Sequence, residues 1–465
     1  MLTLICAGEH FEEVTIILHL LVWSKAALPL DACQDAIIVC PEKTPGFDTE
    51  DRFFDRSEQC GLVNMCSGLV AVVRSADDTC DFLALSHASV KDYLLSIETP
   101  KPFRDHLGEA VARLSTLRRC LVYLRCVDWE ILDNDTDDDK DGYFYQRNSY
   151  SSRKAKELAS KFPFAHWARD SWMKHAKALE DTNEEAQSLT LAFLRGHTLA
   201  LERAMTFNIS YFDLADVGQS YPLYLAACIG LEKACSQLIE LDYVSDDARI
   251  SHENPTAASK DDLILHLGPC LAIASAAGHI GVVRRLLDSD ANPNSDCNHC
   301  AYETTPLYEA TFYQRVSVIE LLLANGADVE HSSTDFNCLQ LASWRGFLDI
   351  VQILVNAGAN IDCLGVSSTP LALAAQSGHG DVVQYLLDKH ANVHLTTEDW
   401  SSAYGGTALQ TAAANGHIAI AVNLLKHGAH VNAFSRCGTA LASAVTWPGN
   451  IEMIRMLLNN GAGVE

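Results

Sequence analysis

The sequence predicts a mainly α-helical chain: a solenoid of stacked helix pairs with β-hairpin tips, preceded by a helix-rich region carrying one hairpin. Three observations predict it. A leucine-centred string returns about every 33 residues through the C-terminal part. Glycines recur in register between the two short helices of most copies. Ahead of residue 100, apolar helical runs give way to two short β-prone segments around a polar turn.

In chain order, Val14 to Ser24 is an apolar helix, Leu28-Pro29-Leu30 breaks it, and Asp31 to Val39 forms a second helix with Asp31 as its cap. A third helix is expected from Glu58 to Ser67. Gly68 to Val73 and Phe82 to Leu85 flank a polar turn at Ser75 to Thr79, a hairpin that leads into a helix over Ser89 to Ser96. Helices followed by a wing-like hairpin predict a winged-helix domain over residues 1–100. Residues 101–205 read as a helical connector with an acidic insertion at 133–142.

The repeats come next. Thr305-Pro306-Leu307, Asn337-Cys338-Leu339, Thr369-Pro370-Leu371, Thr407-Ala408-Leu409 and Thr439-Ala440-Leu441 place their leucines 32, 32, 38 and 32 residues apart, and an earlier copy begins at Pro269-Cys270-Leu271. A hydroxyl caps the orphan amides of a first helix, and proline in its first turn loses no hydrogen bond. Alanines let two short helices approach closely. Glycines at 346, 378 and 416 end the first helix in a backbone state that other residues reach at a cost. Pairs such as Val382-Val383 and Leu386-Leu387 make an apolar stripe on the second helix, and no copy can bury that stripe alone.

These anchors resemble the ankyrin repeat. The resemblance covers six copies over 268–465, with a degenerate copy and an insertion at 206–267 that includes Tyr221-Pro222-Leu223-Tyr224-Leu225-Ala226-Ala227 and Gly230. The His of that family's usual Thr-Pro-Leu-His start is absent: Ala272, Tyr308, Gln340, Ala372, Gln410 and Ala442 stand there, which predicts weaker local hydrogen bonding. The array ends at Glu465 without a polar closing copy, so either a further element caps it in trans or the chain is a shortened gene product.

Leu18-His19-Leu20-Leu21-Val22-Trp23-Ser24, Leu28-Pro29-Leu30, Cys66-Ser67-Gly68-Leu69-Val70 and Leu85-Ser86-His87-Ala88-Ser89-Val90-Lys91-Asp92-Tyr93-Leu94 resemble the winged helix that follows the NTPase in fungal NACHT-ankyrin proteins, which are STAND-class, NLR-like receptors. Arg119 to Leu124, Phe162 to Ala168 and Trp172 to Ala176 resemble that family's helical connector. A NACHT NTPase needs a GxxxxGK[ST] phosphate loop, and no Gly-Lys pair occurs in this sequence. The resemblance therefore implies a relative lacking the NTPase. It also puts His87 in the place of a nucleotide-sensing His, which here has no nucleotide domain to serve and reads as a structural residue.

Composition narrows the function. Hydrophobic residues at 48% and charged residues at 20% describe folded protein. Lysine and arginine number 34 against 60 acidic residues, a net charge of −26 that repels phosphate backbones and anionic lipid, so neither direct nucleic-acid binding nor membrane binding is expected. Sixteen scattered cysteines in a chain without a leader-like start read as reduced thiols, and a cytoplasmic or nuclear location follows.

Candidate chemistry is thin. Asp137-Asp138-Asp139-Lys140-Asp141-Gly142 matches the first half of a calcium loop, but Asn148 stands where the closing Glu belongs. Cys297-Asn298-His299-Cys300 has zinc-like spacing with no second pair to complete four ligands, so its thiols read as part of a long inter-repeat turn. His279, His379 and His417 follow the glycine turn in register and read as architecture rather than acid–base groups. The Arg118-Arg119 and Arg284-Arg285 pairs are too sparse for a basic groove. No catalytic, cofactor or metal site is expected.

Large aromatics at loop tips (Tyr302, Phe336, Trp400, Tyr404, Phe434) and on the inner helices (Phe312, Trp344, Trp447) mark a candidate protein-binding surface. The expected function is a non-enzymatic protein–protein interaction scaffold or adaptor, a truncated NLR-like signalling or regulatory protein whose partner is a NACHT NTPase protein. The alternatives are a transcriptional coregulator acting through a DNA-bound transcription factor and, last, an enzyme subunit.

Overall fold

A computed structural model of the chain describes residues 10–24, 27–42, 47, 65–66, 68–74, 81–96, 98–127, 153–196, 221–249, 260–299, 302–331, 336–364, 368–396, 406–435, 438–445 and 450–463. The backbone divides into two units, Met1–Leu214 with Gly218–Leu238, and Ala215–Val217 with Ile239–Glu465. The mainly helical expectation holds in both.

In the first unit, helix Phe11–Trp23 buries Val14, Ile17, Leu18 and Val22 completely. Proline then forces extended backbone, and strand β1 (Leu28–Pro29) precedes helix Leu30–Ile38. Asp31 does not cap this helix as the sequence suggested. Pro29 holds the cap position without a side-chain bond, and Asp31 sits in the first turn, where its charge favours the helix dipole. Strands β2 (Val70–Arg74) and β3 (Asp81–Leu85) form the expected hairpin, and β1 pairs with β3, giving an antiparallel sheet in the order β1-β3-β2. Apart from Met65 and Cys66, the segment expected as a third helix lies outside the described residues, as does the turn Ser75 to Thr79. The helix after the hairpin is Ala88–Leu94: His87 caps it, so it starts one residue before the expected Ser89, and it ends two residues before Ser96.

Helix Glu109–Cys126 packs against Ala165–Leu179 and against Phe11–Trp23. Its Tyr123, fully buried, donates to the Asp35 carboxylate at 2.5 Å and meets the rings of Phe47 and Phe164 at 4.5 and 5.1 Å. Arg119 donates to the carbonyls of Ala36, Ile37 and Val39, so its guanidinium satisfies the orphan acceptors at the end of helix Leu30–Ile38. Arg118 pairs with Glu185. Both arginines are thus engaged within the fold. Further on, Gly230 turns helix Tyr221–Ile229 into the next helix, whose Lys233 and Ala234 amides donate to Glu180 at 2.8 and 3.4 Å. Burial pushes the Glu180 carboxyl up, while those amides oppose the shift.

Among the described residues the second unit carries six helix pairs: Lys260–Ala277 with Ile280–Asp288, Pro306–Phe312 with Val316–Ala324, Cys338–Arg345 with Leu348–Asn356, Pro370–Ser377 with Gly380–Asp388, Ala408–Ala414 with Ile418–Lys426, and Ala440–Val445 with Ile451–Asn459. The first pair departs from expectation. Pro269 does not open its helix but lies inside one that starts at Lys260, at the cost of one backbone donor. Elsewhere the caps are as read: the hydroxyls of Thr305, Thr369, Thr407 and Thr439 and the amide oxygen of Asn337 accept an amide from the first turn. Hairpin β4–β5, Cys297–His299 with Tyr302–Thr304, joins the first two pairs.

Each second helix buries one stripe, as in Ile350, Val351 and Leu354 or Val382, Val383 and Leu386, all at 0% exposure. Side chains then tie neighbouring repeats. Residues in one register position reach back to the end of the preceding first helix: Arg315 Nε to Ala276 O at 2.9 Å, His379 Nε2 to Trp344 O at 3.1 Å, His417 Nε2 to Gln376 O at 3.0 Å and Asn450 Nδ2 to Ala413 O at 3.0 Å. Among the loops, Asn294, Asp362 and Asn432 accept the amides of Asp328, Asn392 and Gly463. In two copies glutamine does the work expected to be missing with the family's histidine. Gln340 and Gln410 complete capping boxes and donate onward to Ser368 O and Gly438 O.

The back-reaching ties make two demands on glycine. Gly346 and Gly378 have φ of 75° and 84°, and a Cβ on either would clash with the ring of His379 or His417. Gly378→Ala should therefore cost more than the strain of about 1–2 kcal/mol for a left-handed Cβ, whereas Gly326→Ala, with φ of 86° and open space, should cost only that strain; urea unfolding of the two variants checks the ordering.

A pH dependence follows from the first unit. Burial pulls His19 and His175 from 6.5 down to about 4, so both stay neutral in the fold and take up protons on unfolding. Their contribution is complete above pH 6.5 and is lost as pH falls toward 4, because the unfolded chain binds the extra protons. Chemical unfolding across that window should show the slope, and His19→Asn combined with His175→Asn should flatten it.

Candidate protein interface

In four of the first helices the last residues are only partly covered by the neighbours, whereas Ala276 in the first pair is buried. In equivalent positions the copies carry Ala276, Phe312, Trp344, Gln376 and Ala414. Two large aromatics therefore occupy a place built for small or polar residues, and they stay partly in water: Phe312 is 36% and Trp344 37% exposed. Phe336, just before the Asn337 cap, lays its ring parallel to Trp344, with centroids 6.1 Å apart and planes 6° apart. Arg345 bridges the two repeats. Its guanidinium carbon lies 5.0 Å from the Trp344 ring centre and 4.8 Å from that of Phe312, within cation–π range. The His379 bond to the Trp344 carbonyl fixes the backbone beneath.

Of the sequence-selected aromatics, the structure brings Phe312, Phe336 and Trp344 into one cluster through Arg345. The Tyr302 backbone lies in β5. Phe434 is 82% exposed and makes no ring contact with the cluster. Trp400, Tyr404 and Trp447 lie outside the described residues. Arg345 was not selected from the sequence. The available signal was its register position, which holds Ala277, Tyr313, Ser377 and Asn415 in other copies, so it is the cation in that series.

The other motifs acquire plain roles or fall out of view. His87 is exposed, and its Nδ1 accepts the Ser89 amide at 3.2 Å as a helix cap. Cys297 and His299 lie in strand β4 rather than an irregular turn, and Cys300 lies outside the described residues, as does Asp137 to Gly142. Among the described residues no three His, Cys, Asp or Glu side chains gather as a metal site, and no helix is long and apolar enough to cross a membrane. Burial pushes the thiols of Cys338 and Cys363 up to about 12 and about 11, away from the reactive thiolate form. Exposed rings around a guanidinium offer contact area and direction, not bond-making chemistry.

A family model agrees with the repeat geometry. The family model for ankyrin repeats, in three copies, matches residues 260–333, 330–397 and 371–465. The crystal structure of the human ASB11 ankyrin repeat domain is similar at 23% identity, over 52% of this chain and 99% of that one, with a TM-score of 0.40. No curated protein matches the sequence. Residues 260–465 of this chain are an array of ankyrin repeats.

Proposed function

We propose that the protein is a non-enzymatic scaffold or adaptor that captures a protein partner on the first-helix ends of its second and third helix pairs. Ankyrin repeats generally mediate protein–protein interaction. The observation that carries the reading is the Phe336–Trp344–Arg345–Phe312 cluster, in which Phe312 and Trp344 are 36% and 37% exposed, Arg345 is exposed and Phe336 is half-buried. Aromatic and arginine side chains concentrate at the energetic centres of interfaces. The remaining aromatics named from the sequence, Tyr302, Trp400, Tyr404, Phe434 and Trp447, stay part of the wider binding surface proposed from the sequence.

The first unit supports a narrower version. Its order of helix, strand, helix and hairpin, with β1 beside β3, is compatible with a winged helix, and that supports kinship to NLR-like receptors. On that reading the chain acts as an adaptor, decoy or recognition half of such a receptor, and the partner is a NACHT NTPase protein.

Phe312→Ala with Trp344→Ala should reduce partner recovery at least tenfold in affinity purification from the native cell, while each change costs less stability than the ~3–5 kcal/mol of truncating a fully buried aromatic. Undiminished recovery would remove the cluster from the interface, and an equal loss of stability would assign both rings to the core.

A further inference from the structure

Resting on that reading of the surface, we propose that the cluster recognises an acidic peptide segment, with an Asp or Glu carboxylate received by Arg345 and an adjacent apolar side chain laid against the exposed rings.

The argument starts from what Arg345 does and does not do. Its guanidinium lies over two rings of different repeats, which restricts the plane of the fork. Those ring contacts are its only interactions among the described residues; neither a hydrogen bond nor an ion pair engages its N–H groups. Two nearby acids among the described residues are turned elsewhere. Glu309, one turn before Phe312, is buried and accepts from the Thr304 hydroxyl at 2.8 Å, with burial pushing its carboxyl up. Asp349, four residues after Arg345, accepts the Ile350 amide at 2.9 Å. An exposed and restrained fork with unused donors is matched by a carboxylate, which takes two parallel N–H bonds at once.

The same geometry disfavours a basic partner. A lysine or arginine from outside would seek the aromatic faces, and Arg345 already covers those of Phe312 and Trp344 while adding like charge. A phosphate fits less well than a carboxylate, since it carries close to two charges and one guanidinium offsets one. The net charge of −26 does not override the local contact, because fields from exposed charges are screened within about 8 Å at physiological salt.

The test is selection of a displayed random-peptide library on the full chain, followed by titration of the enriched peptides. Enriched peptides should pair Asp or Glu with a large apolar neighbour. Arg345→Gln should weaken them about tenfold, Arg345→Lys should recover only part of that loss, and Asn or Gln in the peptide should cost nothing further once Arg345 is changed. Urea midpoints of both variants should match the parent, since Arg345 is exposed. Peptides that lose binding with Phe312→Ala or Trp344→Ala but not with Arg345→Gln would overturn the carboxylate assignment and leave the interface standing. Peptides indifferent to all of these changes, or no enrichment, would overturn both. Binding that requires a phosphorylated residue would replace the acidic segment with a phosphopeptide and overturn the proposal.

Discussion

The structure of the repeat unit depends on one constraint: a helix pair of this sequence cannot bury its own apolar stripe. Val382, Val383 and Leu386 reach 0% exposure because flanking pairs close over them, and the same holds for Ile350, Val351 and Leu354. Stacking is therefore the folding reaction itself. Everything that stacking does not cover, the loop tips and the ends of the first helices, is released from packing and free to vary.

That release explains how a surface arises without disturbing the array. Phe312 and Trp344 replace residues as small as Ala276 and Ala414, and the backbone around them keeps the same closing bond, Arg315 N to Ala310 O and Phe347 N to Ala342 O, that the other copies use. The helix that ends before Gly230 in the first unit closes in the same way, Leu231 N to Ala226 O. The frame is set by backbone and small side chains, while the identity of the exposed residue is left to function.

What could be read from the sequence was what is local. The Thr caps and the glycine turns at 346, 378 and 416 each involve residues within a few positions of one another and appear where expected, and the period is the recurrence of those local signals. Three readings failed for definable reasons. Asp31 looked like a cap because of its type, but Pro29 had already fixed the extended backbone at that position. Pro269 looked like a helix start because prolines open later copies, whereas the chain before it is itself helical. Arg345 was passed over because its partners, Phe312 and Trp344, include a ring from another repeat, and stacking alone brings that ring within reach. The loss expected from the missing histidines was overstated for the same reason: Gln340 and Gln410 act across to the following repeat.

The ties at Arg315, His379, His417 and Asn450 all run backward, from a later repeat to a carbonyl of an earlier one. A polypeptide leaving the ribosome amino end first exposes each of those acceptors before its donor has been synthesised. At those four junctions the array is therefore vectorial: the later repeat completes its predecessor's bonding, so assembly can keep pace with translation.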